Sequence, residues 1–223
     1  MLTESAQQAA VQSGEPHVAV SFAQQVAQLD RRIEGHFRRQ IPFAAALALT
    51  RTAQLARDAI TARLPQTFDR PTPFTQRGVS YRPASKANLT ATVLVLPRQA
   101  AYLTTQETGG IGRPAGRAFA LPRVPELADA YGNIGRGAIG RVLGRAKGQA
   151  FVGTIRGTPG VWRREARSPS KRNGGVKLLV RFLGPSPYQP RFGFQAQAAA
   201  VARREFPRLL AESLQRAIET ARD

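Results

Sequence analysis

The spacing Gly135-x-Gly137-x-x-Gly140 is that with which dinucleotide-binding folds bring a pyrophosphate against a helix N-terminus. That chemistry needs a buried strand before the first glycine and an acid about 20 residues further on to hold the ribose. Here the preceding residues, Ala128-Asp129-Ala130-Tyr131-Gly132-Asn133, make no buried strand, and the one acid between Gly140 and Glu205 is Glu165, set among cations. The stretch reads instead as an exposed, flexible loop. A second cluster, Gly109-Gly110-Ile111-Gly112-Arg113, has the composition of an anion nest but lacks the Lys-Ser/Thr of a phosphate loop, and reads as a surface turn. The carboxylates do not pair for acid–base work. Asp58 and Asp69 stand apart, Glu126 and Asp129 share a short linker, and Glu205, Glu212 and Glu219 repeat along one helix face where Arg208 and Arg216 can pair with them. The chain has no cysteine, only His17 and His36, and no Gly-x-Ser-x-Gly elbow. Disulfide frameworks, thiolate zinc sites and thiol nucleophiles are excluded, and His36 reads as a packed or surface residue. The expectation is a protein that is not an enzyme, with no cofactor and no metal.

What stands out chemically is arginine. The 223 residues carry 33 Lys and Arg against 14 Asp and Glu, a formal net charge of +19, and lysine occurs only at positions 86, 147, 171 and 177. Guanidinium forks pair bidentately with carboxylates and phosphates and tolerate interfaces better than ammonium does. Residues 130–195 hold 13 of these cations and a single acid. Arg113, Arg117, Arg136, Arg141, Arg145, Arg163, Arg164, Arg167, Lys171 and Arg172 are the candidates for contact with DNA or with acidic partner proteins. Solubilising faces usually mix both signs, and this one does not. The aromatics nearby, Tyr131, Phe151, Trp162, Phe182, Tyr188, Phe192 and Phe194, are spread as core residues are, and no base-reading motif is present.

These cations need a scaffold. Residues 1–16 read as a flexible N-terminal arm without a secretory signal, and 17–223 as one domain. Phe22, Val26, Leu29, Ile33 and Phe37 predict a first helix. Pro42 opens a second, with Ile41, Ala45, Leu49, Thr52, Ala56, Ile60 and Leu64 on its apolar face and Pro65 at its end. Residues 79–82, 89–96, 151–155, 160–164 and 176–183 alternate as strands, and 137–146 is a weak helix. In the last strand Val176, Leu178, Val180 and Phe182 face one side and Lys177 and Arg181 the other. Residues 101–106 fit either an extended segment or a short helix. Residues 107–125 read as an extended loop and 163–175 as a basic loop. A C-terminal helix shows the stripe Phe206, Leu210, Leu214, Ala217 and Ala221, split or kinked at Pro207. The fold class is α+β: two N-terminal helices and a C-terminal helix packed on an antiparallel sheet, with long Gly/Pro/Arg-rich loops. The charge-free stretches do not suffice to span a membrane.

The stretch from Gln40 to Ala53, Gln-Ile-Pro-Phe-Ala-Ala-Ala-Leu-Ala-Leu-Thr-Arg-Thr-Ala, resembles the proline-led, alanine-rich helix of minor tail protein Z-like proteins of tailed bacteriophages, which usually carry Asn where Thr50 stands. Further stretches are similar to phage structural proteins of that group, in the same order: Phe74 to Gly78, Pro83 to Leu89, Gln99 to Leu103, Glu107 to Gly110, Gly116 to Pro122, Ala130 to Asn133, and Tyr188-x-Pro190-Arg191-Phe192-x-Phe194. The resemblance implies a structural virion protein, a tail-completion or neck ring subunit at the head-proximal end of the tail. It would be made in the host cytoplasm. Its partners would be copies of itself and neighbouring tail, tube, connector or portal proteins, with non-specific contact to packaged DNA left open. The family supplies no catalytic residues. The other reading of the same charge is a non-specific nucleic-acid-binding protein of ribosome- or nucleoid-associated type.

Overall fold

The computed structural model describes residues 17–18, 40–114, 116, 118–146, 148–166 and 175–220. The first expected helix, His36, and the candidates Arg117, Arg167, Lys171 and Arg172 lie outside the described residues. Where one domain was expected over 17–223, the chain divides into two compact units: residues up to Thr108 together with those from Pro190, and Gly109–Gln189. The class is α+β, with helices on antiparallel strands.

The first unit is built on two helices of 27 residues, α1 (Ile41–Thr67) and the C-terminal helix (Phe194–Thr220). Every residue assigned from spacing to the apolar face of α1, from Ile41 through Leu64, is buried, and Ala44, Ala46, Ala48 and Ala53 are buried beside them. Small side chains let the C-terminal helix approach closely with Ala198, Val201, Phe206 and Leu209. Phe206, Leu49, Ile60 and Leu64 are among the largest fully buried side chains, each contributing about 1.5–3 kcal/mol on leaving water. Pro65 does not end α1. It sits exposed in the last turn, and the helix closes at Thr67 with the Phe68 N–H bonded to the Leu64 carbonyl.

Strand β1 (His17–Val18) pairs antiparallel with β3 (Thr92–Val95), which pairs in turn with β2 (Val79–Arg82). Between β2 and β3 the register sets Val79 opposite Val95 and Tyr81 opposite Val93, and these four residues belong to the helix-covered core. The strand expected over 89–96 is thus shortened to residues 92–95. Tyr81 carries its hydroxyl to the polar side of α1, where Gln54 Nε2 donates to it at 2.8 Å and the Arg57 guanidinium lies 5.1 Å from its ring centre. Thr50 Oγ1 accepts the Ala84 N–H at 3.1 Å. A short helix α2 (Pro73–Gln76) precedes β2, and α3 (Pro97–Thr108) follows β3, so residues 101–106 are helical.

The ends of α3 and of the C-terminal helix, α5 in chain order, are tied together. Buried Gln106 accepts Arg191 Nε at 2.7 Å, and its carbonyl takes the Arg191 and Phe192 N–H groups. The Glu107 carboxylate accepts the Phe194 N–H at 2.8 Å and the Gln195 N–H at 3.1 Å, satisfying two first-turn donors of α5 at the positive end of its dipole. Glu107→Ala is expected to lower stability by about 1–2 kcal/mol, with Glu107→Gln intermediate, in urea unfolding followed by circular dichroism. A loss within error would remove the cap from the account.

Helix α5 runs unbroken past Pro207, which is exposed, so the carbonyl that loses its donor lies toward water. Its buried stripe is Phe194, Ala198, Val201, Ala202, Phe206, Leu209, Ser213 and Ala217. Leu210 and Leu214 are only partly buried, one position off the stripe expected from spacing. On its outer face Glu205 bonds Arg204 at 2.7 Å and Arg208 at 3.0 Å, and these two guanidinium groups hold its carboxyl below the usual range.

The second unit contains a four-stranded antiparallel sheet in the order β5 (Phe119–Pro122), β8 (Gly175–Leu183), β7 (Thr158–Glu165), β6 (Ala150–Ile155). A separate ribbon pairs β4 (Gly110–Gly112) with β9 (Ser186–Tyr188). The expected loop 107–125 is therefore interrupted by two strands, because both find partners more than sixty residues away (Gly112 with Ser186, Phe119 with Leu183). Gly112 lies so close beneath the Tyr188 ring that a Cβ there would collide with it, which accounts for glycine in this strand. The expected basic loop 163–175 loses both ends to strands, at 163–165 and at Gly175. Arg156 and Gly157, both at positive φ, make the tight β6–β7 turn.

Between β7 and β8 the register slips by one residue at Leu179. This bulge overturns the simple alternation expected for β8: Leu179 and Val180 are both buried, while Val176 is 43% exposed. One face of the sheet is covered by the 3₁₀ turn Pro125–Leu127 and by α4 (Ala138–Arg145), whose Ile139, Val142 and Leu143 pack on Val161, Leu179 and Val180. Among the described residues no helix is long and apolar enough to cross a membrane.

Candidate functional site

On that covered face a cleft of about 680 Å³ opens between α4, the Pro125–Asp129 segment and the β7–β8 ends of the sheet. Its floor is apolar, formed by Val124, Leu127, Val142 and Leu179. Two cations, Arg141 and Arg145, come from α4 one turn apart, so they share a side of the helix. Two more come from the sheet: Arg163 on β7 is the register partner of Lys177 on β8, placing two positive side chains next to each other on one face. Like charges opposite one another in a sheet are destabilising, so the pairing spends stability that a packing role would not require. All four side chains are exposed, and among the described residues none makes an ion pair or a side-chain hydrogen bond.

Two acids also line the cleft, and they differ in role. Asp129 Oδ1 accepts the Tyr131 N–H at 2.9 Å and the Asn133 N–H at 2.8 Å, which shapes the loop closed by the Ala128–Ile134 bridge. Glu126 is exposed in the 3₁₀ turn. Among the described residues no aromatic side chain lines the cleft.

Of the candidates drawn from the sequence, Arg141, Arg145 and Arg163 converge here. Arg164, adjacent to Arg163, lies over the Phe151 ring at 4.9 Å and so belongs to the other face of the sheet. Arg136 is exposed on the turn before α4, and Arg113 is exposed just after β4; neither lines the cleft. The residue missed is Lys177. Its spacing from the β8 apolar residues assigns it a solvent side, and only the register with Arg163 across the bulge shows that this side faces the cleft.

The two glycine motifs have structural places. Gly137, at φ 74°, is the N-cap of α4, while Gly140 lies inside that helix and the segment before Gly135 is a bridged turn rather than a strand. Gly110 and Gly112 are strand residues, so that stretch is a paired strand rather than the surface turn expected. Among the described residues no group of three or more His, Cys, Asp or Glu is placed to hold a metal ion. Comparison with protein-family models, with curated proteins and with solved structures finds no match to this chain.

Proposed function

We propose that the protein is a structural, non-catalytic component of a tailed-bacteriophage virion, a tail-completion or neck subunit that assembles with copies of itself into a ring at the head-proximal end of the tail. The observation that carries this reading is where the phage-like stretches fall in the fold. The alanine-rich segment 40–53 is the buried heart of α1. Several of the later stretches meet in the first unit: Gln99 Nε2 donates to the Phe74 carbonyl at 2.9 Å, Arg191 reaches Gln106 next to Glu107, and Glu107 caps the helix opened by Phe194. Stretches that resemble one structural family in order along the chain are thus neighbours within the first unit, while 116–122 and 130–133 belong to the second. The basic second unit supplies a surface for packaged DNA or for acidic neighbours in the assembly.

Deletion of the gene from its phage is expected to leave filled heads and tails unjoined, or tails of abnormal end structure, by electron microscopy. Normal infectious particles from the deletion would end the proposal. Mass photometry of the purified protein is expected to show a closed oligomer.

The net charge and the cationic cleft favour a second reading, a non-specific nucleic-acid binder. It requires a monomer that binds arbitrary DNA or RNA with an affinity falling steeply with salt, by a slope matching several phosphates.

A further inference from the structure

We infer that the cleft of the second unit is a docking groove for an acidic, amphipathic peptide segment of a partner protein. This goes beyond the virion reading and does not depend on it. The groove offers two kinds of contact at once. Arg141 and Arg145 stand on one wall and Arg163 and Lys177 on the other, all four exposed and, among the described residues, without an acidic partner. Beneath them Val124, Leu127, Val142 and Leu179 give a floor that gains by excluding water. A segment carrying Asp or Glu with interspersed Leu, Ile or Val satisfies both, through bidentate guanidinium–carboxylate pairs above and apolar anchors below.

A nucleic acid fits less well. Single strands bind by stacking bases on aromatic rings, and among the described residues none lines the cleft. A duplex presents its phosphates on a convex surface and leaves an apolar floor unfilled. Glu126 and the Asp129 carboxylate stand in the same cleft, where they repel a continuous phosphate backbone. A peptide of mixed character tolerates them.

The test uses the full chain at 0.15 M salt and three fluorescein-labelled probes: a twelve-residue peptide alternating Asp/Glu with Leu, a twelve-residue polyglutamate, and a twelve-nucleotide oligo-dT. The first is expected to bind saturably and at least about tenfold more tightly than either of the others in fluorescence anisotropy. Lys177→Glu and the double variant Arg141→Glu/Arg145→Glu are each expected to weaken it about tenfold or more. Arg203→Glu, on the exposed side of α5 in the other unit, should leave it unchanged. Circular dichroism of each variant confirms its fold, and Lys177→Ala serves in place of any reversal that fails to fold. Oligo-dT binding more tightly than the peptide would make this a phosphate groove and overturn the assignment. So would polyglutamate equal to the amphipathic peptide, the absence of saturable peptide binding, or binding indifferent to the cleft variants. None of these outcomes bears on whether deletion of the gene disrupts virions.

Discussion

Ala45→Arg is expected to unfold the helix–sheet unit. Ala45 is 0% exposed on the face of α1 that packs within the apolar cluster of Leu49, Val93, Ala198 and Phe206. Two terms add. The longer side chain overpacks a site held to alanine dimensions, a cost of about 1–3 kcal/mol. The guanidinium stays charged at any working pH, and among the described residues no carboxylate is buried to pair with it, so several kcal/mol of uncompensated desolvation follow. Together these approach the whole stability of a small unit, about 5–15 kcal/mol. Leu55→Arg, on the same helix but 39% exposed, is the matched control and should move stability by no more than about 0.5 kcal/mol. The measurement is urea unfolding by circular dichroism. A midpoint for Ala45→Arg equal to that of Leu55→Arg would show that the buried face has been misplaced.

Gly160→Val should be comparably damaging to the second unit. Gly160 is a central residue of β7, opposite Gly153 on β6 and Arg181 on β8, one position before the bulge. A Cβ at this point would collide with the Val180 backbone carbonyl and come within 2.7 Å of Leu178 Cδ1. The carbonyl belongs to a strand paired on both sides and cannot swing away, so the β7–β8 pairing itself must open. That separates Val161 from Val180, both 0% exposed, and the expected loss is about 3 kcal/mol or more. At Gly153 the same added atom meets only Phe151 ring carbons, at 3.4 Å, an ordinary contact. Gly153→Ala should therefore cost about 1 kcal/mol or less. Trp162, the single tryptophan and 9% exposed, stands two residues from Gly160 and reports the transition by fluorescence. Equal midpoints for Gly160→Val and the wild type would refute the close approach.

The two experiments probe different degrees of legibility. The face of α1 can be read from spacing alone because its seven apolar positions recur with the helix period and the core covers all of them. The C-terminal helix is read one residue out, at Leu210 and Leu214 in place of Leu209 and Ser213, because several apolar residues compete for the stripe and α1 selects among them. In β8 alternation fails at Leu179, since a bulge is a property of a strand pair and has no period within one strand. The strand assigned to 89–96 is cut to Thr92–Val95 for a related reason: the partner β2 supplies only four residues to pair with.

What the sequence determines by itself is local or additive: the α+β class, the buried side of α1, the lack of thiol chemistry, and the concentration of net positive charge in residues 130–195, where 13 cations meet a single acid. What only the tertiary structure decides is non-local. Arg163 becomes a neighbour of Lys177 through strand register, α4 sets Arg141 and Arg145 around the same cleft, and Arg164 is turned to the opposite face by the strand's pleat. Periodicity records which side of an element leaves water. It carries no information about which strand pairs with which, or in what register, because those depend on contacts closed between distant segments after each element has formed.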